Sequence, residues 1–192
     1  MSLISAITNF DKWLFVKINS AWQNTFFDSV MPFLRQPLFW LPLYLFLILF
    51  LLINFKQKGS WVVLFTVLLV AISDTISSHF LKSFTGRVRP CGDADPDLHV
   101  RLLAAYCGGN GSFPSSHATN HFGIAVFLFF ILRPYIGKWS YLLFFWAAII
   151  CYAQVYVGVH YPMDVTGGAL LGSIIGWLMS KLFHKYIGTL NG

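Results

Sequence analysis

At 192 residues, 57% of them hydrophobic and only 10% charged, the chain lacks the makeup of a soluble domain, in which about a quarter of residues carry charge. The length fits a single domain, 1–192, and leaves little room for a second. The net charge of +6 sits at the ends of apolar segments, which argues against a nucleic-acid partner and for a bilayer.

Met1 to Phe10 has neither the basic start nor the small-residue cleavage site of a signal peptide. Within the N-terminal region 1–35, Leu14, Phe15, Ile18 and Trp22 stand among polar Asp11, Lys12, Lys17 and Asn19, the pattern of an amphipathic helix. Such a helix can lie in the membrane interface or pack on the rest of the bundle, and the pattern suits both. Gln36 to Phe55 carries no charge and is long enough to cross about 30 Å of hydrocarbon. Ser60 to Leu81, Ser116 to Leu132, Trp139 to Val159 and Val165 to Phe183 are further candidates, with Trp40, Trp61, Trp139, Tyr141 and Trp177 near their ends. Backbone groups in lipid must be satisfied within the segment, and these runs are too long for barrel strands. The expected fold is an all-α polytopic membrane helix bundle, with about five transmembrane helices across 36–183 and an N-terminal amphipathic interfacial helix.

Lys56 and Lys58, Arg133 and Lys138, and Lys181 and Lys185 all fall on one side of that bundle, which the positive-inside rule makes cytoplasmic. The connection 83–113 and the short one around His160 then share the outer side. The long loop carries Arg87, Arg89, Arg101, Asp93, Asp95, Asp97 and His99, so it is not apolar filler. Its three aspartates alternate like part of a calcium loop, but the glycine and the distal glutamate are missing, so they read as a solvated run and no metal is expected. Cys91 and Cys107 can pair if the outside is oxidising; spacing alone does not establish the sulfur geometry. Cys151 reads as a packing residue.

Three polar clusters map to the outer face. Lys82 and Arg89 are donors suited to phosphate oxygens, Arg through its planar fork and Lys as a point charge. Pro114-Ser115-Ser116-His117 precedes an apolar run and resembles a helix start, whose free N–H groups favour an anion. His160 and Asp164 are four apart, so a helical turn would place them on one face. An Asp accepting from one ring nitrogen leaves the other nucleophilic, and His117 can protonate a leaving oxygen. Asp74 and His79 read as groups facing the bundle, and His121 as lining the pocket one turn beyond His117.

These residues resemble the type-2 phosphatidic acid phosphatase family of membrane lipid phosphatases. Lys82, Arg89 and Pro90 match its first motif intact. Pro114-Ser115-Ser116-His117 matches the second, with Ser116 where the family usually has Gly. His160 and Asp164 keep the spacing of the third, but Ala153-Gln154 replaces Ser-Arg. The resemblance implies that His160 attacks phosphorus, Asp164 orients it, and His117 acts as general acid. It also implies that Lys82, Arg89, Ser115, Ser116 and the neighbouring backbone N–H groups hold the phosphoryl oxygens, without a cofactor. Gln154 offers one neutral amide in place of a fork, and losing a charged contact costs about 1.5–3 kcal/mol. Arg87 or Arg101 is expected to supply the missing charge from the loop.

The function expected is hydrolysis of a lipid phosphate or diphosphate at the outer leaflet; the resemblance, to small bacterial members of the family, implies a bacterial plasma membrane and slightly favours undecaprenyl diphosphate over phosphatidylglycerophosphate or lipid A phosphates. The bilayer and the lipid are the expected partners; nothing in the sequence points to a protein partner. A lipid phosphotransferase and a non-catalytic phosphate-binding or transport protein are the rivals.

Overall fold

A computed structural model describes residues 3–109 and 111–190; Met1, Ser2, Asn110, Asn191 and Gly192 lie outside it. The helices are α1 (Leu3–Val16), α2 (Thr25–Leu34), α3 (Leu41–Asp74), α4 (Lys82–Thr85), α5 (Ser116–Ile136), α6 (Leu142–Tyr156) and α7 (Pro162–Tyr186). A π-helical turn, Thr75–Leu81, carries α3 into α4. No strand occurs among the described residues.

By length and composition, Pro37–Gly92, Ser116–Tyr156 and Pro162–Tyr186 are apolar enough to cross a membrane. The first two are folded back on themselves. Lys56, with φ 48°, interrupts α3. Beyond it Gly59 lies against the earlier rod so closely that a Cβ would stand 2.0 Å from the Leu51 carbonyl oxygen. Only a glycine lets the returning rod pass there. Gly137, at φ 54°, likewise ends α5, and Phe129 packs on Tyr141 and Phe144 across that turn. Both reversals fall at positions where the apolar runs of the sequence are interrupted by charge or glycine.

The core lies between the two rods of α3, α5 and α7, where Leu51, Val62, Leu69, Phe127, Leu132 and Phe183 are buried together. Small residues set how closely α5 and α7 approach. A Cβ on Gly172 would meet the Thr119 carbonyl oxygen at 2.1 Å, and one on Gly176 the Gly123 carbonyl oxygen at 2.4 Å. Both obstacles are backbone, so neither can swing aside. Gly172→Ala is therefore expected to lower the melting temperature in detergent by several degrees, overpacking by about 1–3 kcal/mol outweighing the better helix propensity of alanine. Gly109→Ala, which would meet nothing within 4 Å, should leave it unchanged. Equal melting of the two variants would contradict the close crossing.

The N-terminal segment differs from its amphipathic reading. Asp11, Phe15 and Asn19 are all buried, while Leu3, Ile7, Phe10 and Trp13 face outward. The inward face mixes polar and apolar groups because its polar members find partners. Asn19 Nδ2 donates to the Arg101 and Tyr156 carbonyl oxygens, each at 2.8 Å. Phe15 packs edge-on to Tyr161 at 5.3 Å between centroids. Of the four apolar positions that the sequence groups together, Phe15 is buried, Leu14 and Ile18 are half-buried, and Trp22 alone is exposed.

The loop 83–113 is likewise not a solvated run. Lys12 pairs with Asp93 and Asp95 at 2.9 Å each, and the Tyr161 hydroxyl donates to Asp93 at 2.6 Å. Cys91 and Cys107 are joined in a disulfide across a separation of 16 residues, a closure that stabilises by about 3 kcal/mol in the chain-entropy account.

Candidate active site

His160 sits in the turn between α6 and α7, buried at 2% exposure. Gly158 makes that turn with φ 89°, and a Cβ there would stand 2.6 Å from the Arg101 carbonyl oxygen. The spacing to Asp164 works by a route other than a shared helical face. His160 precedes the helix, and Asp164 in the first turn of α7 folds back to accept from Tyr161 N at 2.8 Å. This brings Asp164 Oδ2 to 3.5 Å from His160 Nδ1. Ser112 lies between them. Its hydroxyl is 3.4 Å from His160 Nδ1 and donates to Asp164 Oδ2.

The other ring nitrogen decides the tautomer. Arg89 Nη1 stands 3.1 Å from His160 Nε2. A guanidinium has donors only, so Nε2 accepts and carries a lone pair, and the proton belongs on Nδ1, toward Ser112 and Asp164. The ring is also held neutral. Burial, with Arg89 and Lys82 close by, pushes His160 from 6.5 down to about 4 against the pull of Asp164. The same Arg89 nitrogen donates to the Val159 carbonyl at 3.0 Å, which fixes the fork beside the ring.

Asp164 is fully buried and is anchored from its other side. Arg87 Nη1 donates to Asp164 Oδ1 at 2.7 Å, and Arg87 Nη2 to Asp11 Oδ2 at 2.5 Å. Asp11 also accepts from Met163 N at 2.9 Å. Burial raises the Asp11 carboxyl while Arg87 and the Met163 N–H pull it down. A helix outside the apolar core is thus wired, through Arg87, to the group that orients His160.

The remaining polar positions divide. Lys82 is almost buried, and its charge bears on Arg89, His117 and His160. Ser115 is the N-cap of α5, its hydroxyl accepting from Ala118 N and its backbone N donating to the Asp164 carbonyl at 2.9 Å. The start of α5, with His117 in its first turn, therefore abuts the start of α7. Ser116 shares a 2.8 Å hydrogen bond with Ser78, which also donates to Asp74 at 3.0 Å. His121 lies 3.1 Å from the Tyr44 hydroxyl and lines the same cavity as His117. Gln154 is fully buried, and neither polar atom of its amide has a partner among the described residues. Among those residues no three His, Cys, Asp or Glu side chains converge as a metal-ligand set.

The loop arginines do not fill the role expected of them. Arg87 is taken up by Asp11 and Asp164. Arg101 pairs with Asp28 at 2.6 Å and donates to the Asn19 carbonyl at 2.9 Å. A guanidinium already satisfied by a carboxylate on the α1–α2 side has no reason to turn toward a phosphate. Ser112 and Asp11 are the site residues that sequence reasoning missed. A lone loop serine and one acid on an amphipathic helix carry no spacing signal; only the fold brings them to Asp164.

Beside His117 opens an apolar cavity of about 480 Å³. Its lining is mostly apolar, with Tyr44, Leu47, Val67, Ile124 and Trp146, and includes the polar Asp74, Ser116 and Asn120.

The description "PAP2 superfamily" matches residues 59–187, which hold all three polar clusters. A lipid A 4'-phosphatase of Bacteroides thetaiotaomicron is 32% identical over 98% of this chain and 83% of its own length. An undecaprenyl-diphosphatase of Sulfolobus acidocaldarius is 42% identical over 37% of this chain and 33% of its own. The solved transmembrane PAP2-type phosphatidylglycerolphosphate phosphatase of Bacillus subtilis shares the fold, with TM-score 0.70, covering 94% of this chain and 88% of that one at 23% identity. With the motifs inside the matched region and a relative aligned over nearly all of this chain, the chain belongs to the PAP2 superfamily and is an integral membrane enzyme of the lipid-phosphatase class.

Proposed function

We propose that the protein hydrolyses a phosphate from the sugar head group of a lipid A-type glycolipid, at the outer face of a bacterial plasma membrane that its five apolar rods cross. The observation that carries the chemistry is the 3.1 Å approach of Arg89 Nη1 to His160 Nε2; a guanidinium only donates, so that nitrogen keeps its lone pair. His160 Nε2 attacks phosphorus, the bond from phosphorus to the head-group oxygen breaks, and that oxygen takes a proton from His117. Water then attacks the phosphohistidine, losing a proton to His117, and the P–N bond breaks to release phosphate and restore the lone pair. Asp164 and Ser112 hold the ring, while Lys82, Arg89 and the N–H groups at the start of α5 bind the phosphoryl oxygens.

Two features support a glycolipid. The lipid A 4'-phosphatase aligns over nearly the whole chain, whereas the undecaprenyl-diphosphatase aligns over 37% of it. The cavity beside His117 has an apolar lining suited to acyl chains and, in Asp74, Ser116 and Asn120, partners for hydroxyl groups. Undecaprenyl diphosphate, favoured by the family resemblance alone, would leave those polar groups facing a prenyl chain. Phosphate release from solubilised protein should therefore be faster per enzyme with lipid A than with undecaprenyl diphosphate, phosphatidylglycerophosphate or phosphatidic acid. A clear preference for undecaprenyl diphosphate would overturn the substrate assignment and leave the chemistry standing.

The pH dependence follows from the buried ring. A proton on Nε2 removes the nucleophile, so kcat/KM, corrected for ionisation of the substrate, should fall as pH drops through about 4. It should not fall through 6.5, the ordinary histidine value. The same shift bears on stability: burying the neutral ring favours the folded state fully above 6.5, and that contribution is lost as pH falls from there to about 4. An acid limb centred near 6.5 would contradict the burial argument.

A further inference from the structure

We propose that Arg35, at the end of α2, binds the substrate phosphate and replaces the arginine that the third motif would place at position 154. This rests on the lipid-phosphatase reading of the site. The sequence leaves the position short of one cation, and the two loop arginines are committed elsewhere. The Arg35 backbone N donates to Met31 O at 3.2 Å, one turn along from the residue that packs α2 against Ala153, Tyr156 and Val157 of α6. It therefore enters beside the segment that holds Gln154.

Three observations converge on a role toward an anion. Arg35 Nε is buried and has no partner among the described residues. The charge of Arg35 bears on Arg89, His117 and Tyr106, two of which flank the nucleophile and its cavity. No carboxylate acts on Arg35 among the described residues, although every other arginine around the site has one nearby. A half-buried guanidinium set against a second guanidinium and without a counterion is unfavourable unless an anion comes to lie between them. A phosphoryl group at His160 is that anion, and two forks can bind two of its oxygens. Gln154 fits the same picture. It is fully buried with an unpartnered amide, a neutral group where the third motif has arginine.

The exchange is tested by a double-mutant cycle on the full-length, detergent-solubilised protein. Arg35→Ala should lower kcat/KM by about 10- to 100-fold, the scale of one charged hydrogen-bonded contact, and weaken inhibition by inorganic phosphate by a similar factor. Arg35→Lys, which keeps the charge without the fork, should lie between. Gln154→Arg should bring nothing to the wild type but recover much of the loss in Arg35→Ala. Melting temperatures should stay within a few degrees, and if Arg35→Ala does not fold, Arg35→Gln and Arg35→Lys carry the same comparison. Wild-type turnover and phosphate inhibition in Arg35→Ala overturns the inference. So does a loss of turnover with unchanged phosphate inhibition and no recovery from Gln154→Arg, the result of a merely structural role. Calorimetric titration of wild type and Arg35→Ala with inorganic phosphate separates this from the functional reading: if the wild type turns over no lipid phosphate, the reading of the activity fails, while weaker phosphate binding in Arg35→Ala still upholds the site.

Discussion

His160→Ala is expected to lower phosphate release by at least about 10⁴-fold, more than 5 kcal/mol of barrier, because the covalent route is lost altogether. The surrounding cations and helix start remain, so substrate should still bind. KM should change much less than kcat, which distinguishes a lost nucleophile from a lost binding site. The variant removes a buried ring whose polar contacts are to Arg89, Ser112 and Asp164, so melting in detergent must be recorded beside the rate. His160→Gln, of similar bulk, guards against misfolding and should be as inactive. Retention of even a tenth of the wild-type rate in a folded His160→Gln would exclude this ring as nucleophile.

Asp164→Asn is expected to cost about 10³- to 10⁴-fold in kcat. The carboxylate receives donors from every side: Arg87 on Oδ1, Ser112 and Tyr161 N on Oδ2. An amide has one acceptor oxygen, and whichever way it turns its NH₂ must face one of those donors. The His160 proton then loses the group that holds it on Nδ1, and a ring in the wrong tautomer presents N–H to phosphorus; the Ser-His-Asp triad gives the scale of that effect. Arg87 and Asp11 also lose part of a buried network, so about 1–3 kcal/mol of stability should go with the activity. Ser112→Ala leaves the carboxylate charged and should cost far less, on the order of tenfold. An Asp164→Asn protein that is destabilised yet fully active would make Asp164 a structural cap alone.

Much of the fold was legible because lipid imposes simple rules. The uncharged run 36–55 and the basic residues at Lys56, Lys58, Arg133 and Lys138 mark rods and turns by hydropathy and charge, and the chain does reverse at Lys56 and Gly137. The clusters at Lys82–Arg89, Ser115–His117 and His160–Asp164 stand out in the sequence because their residue types lie at short, fixed spacing. What escaped was long-range. Asp11 lies 76 residues from Arg87 in sequence, and on an amphipathic helix nothing separates a docking aspartate from a solvated one. Lys12 to Asp93 and Asp95, and Asn19 to Arg101 and Tyr156, are of the same kind. The error over Arg87 and Arg101 has that origin too: a charge count says how many cations a loop holds, not which carboxylates reach them first.

The most direct measurement is rapid quenching of the solubilised protein with a lipid phosphate radiolabelled at phosphorus, followed by mapping of the label on the chain. The expected result is an acid-labile, alkali-stable label on the peptide containing His160, formed and lost within one turnover and absent from His160→Ala. Label on any other residue, or turnover by His160→Ala at the wild-type rate, would contradict a phosphohistidine at this site.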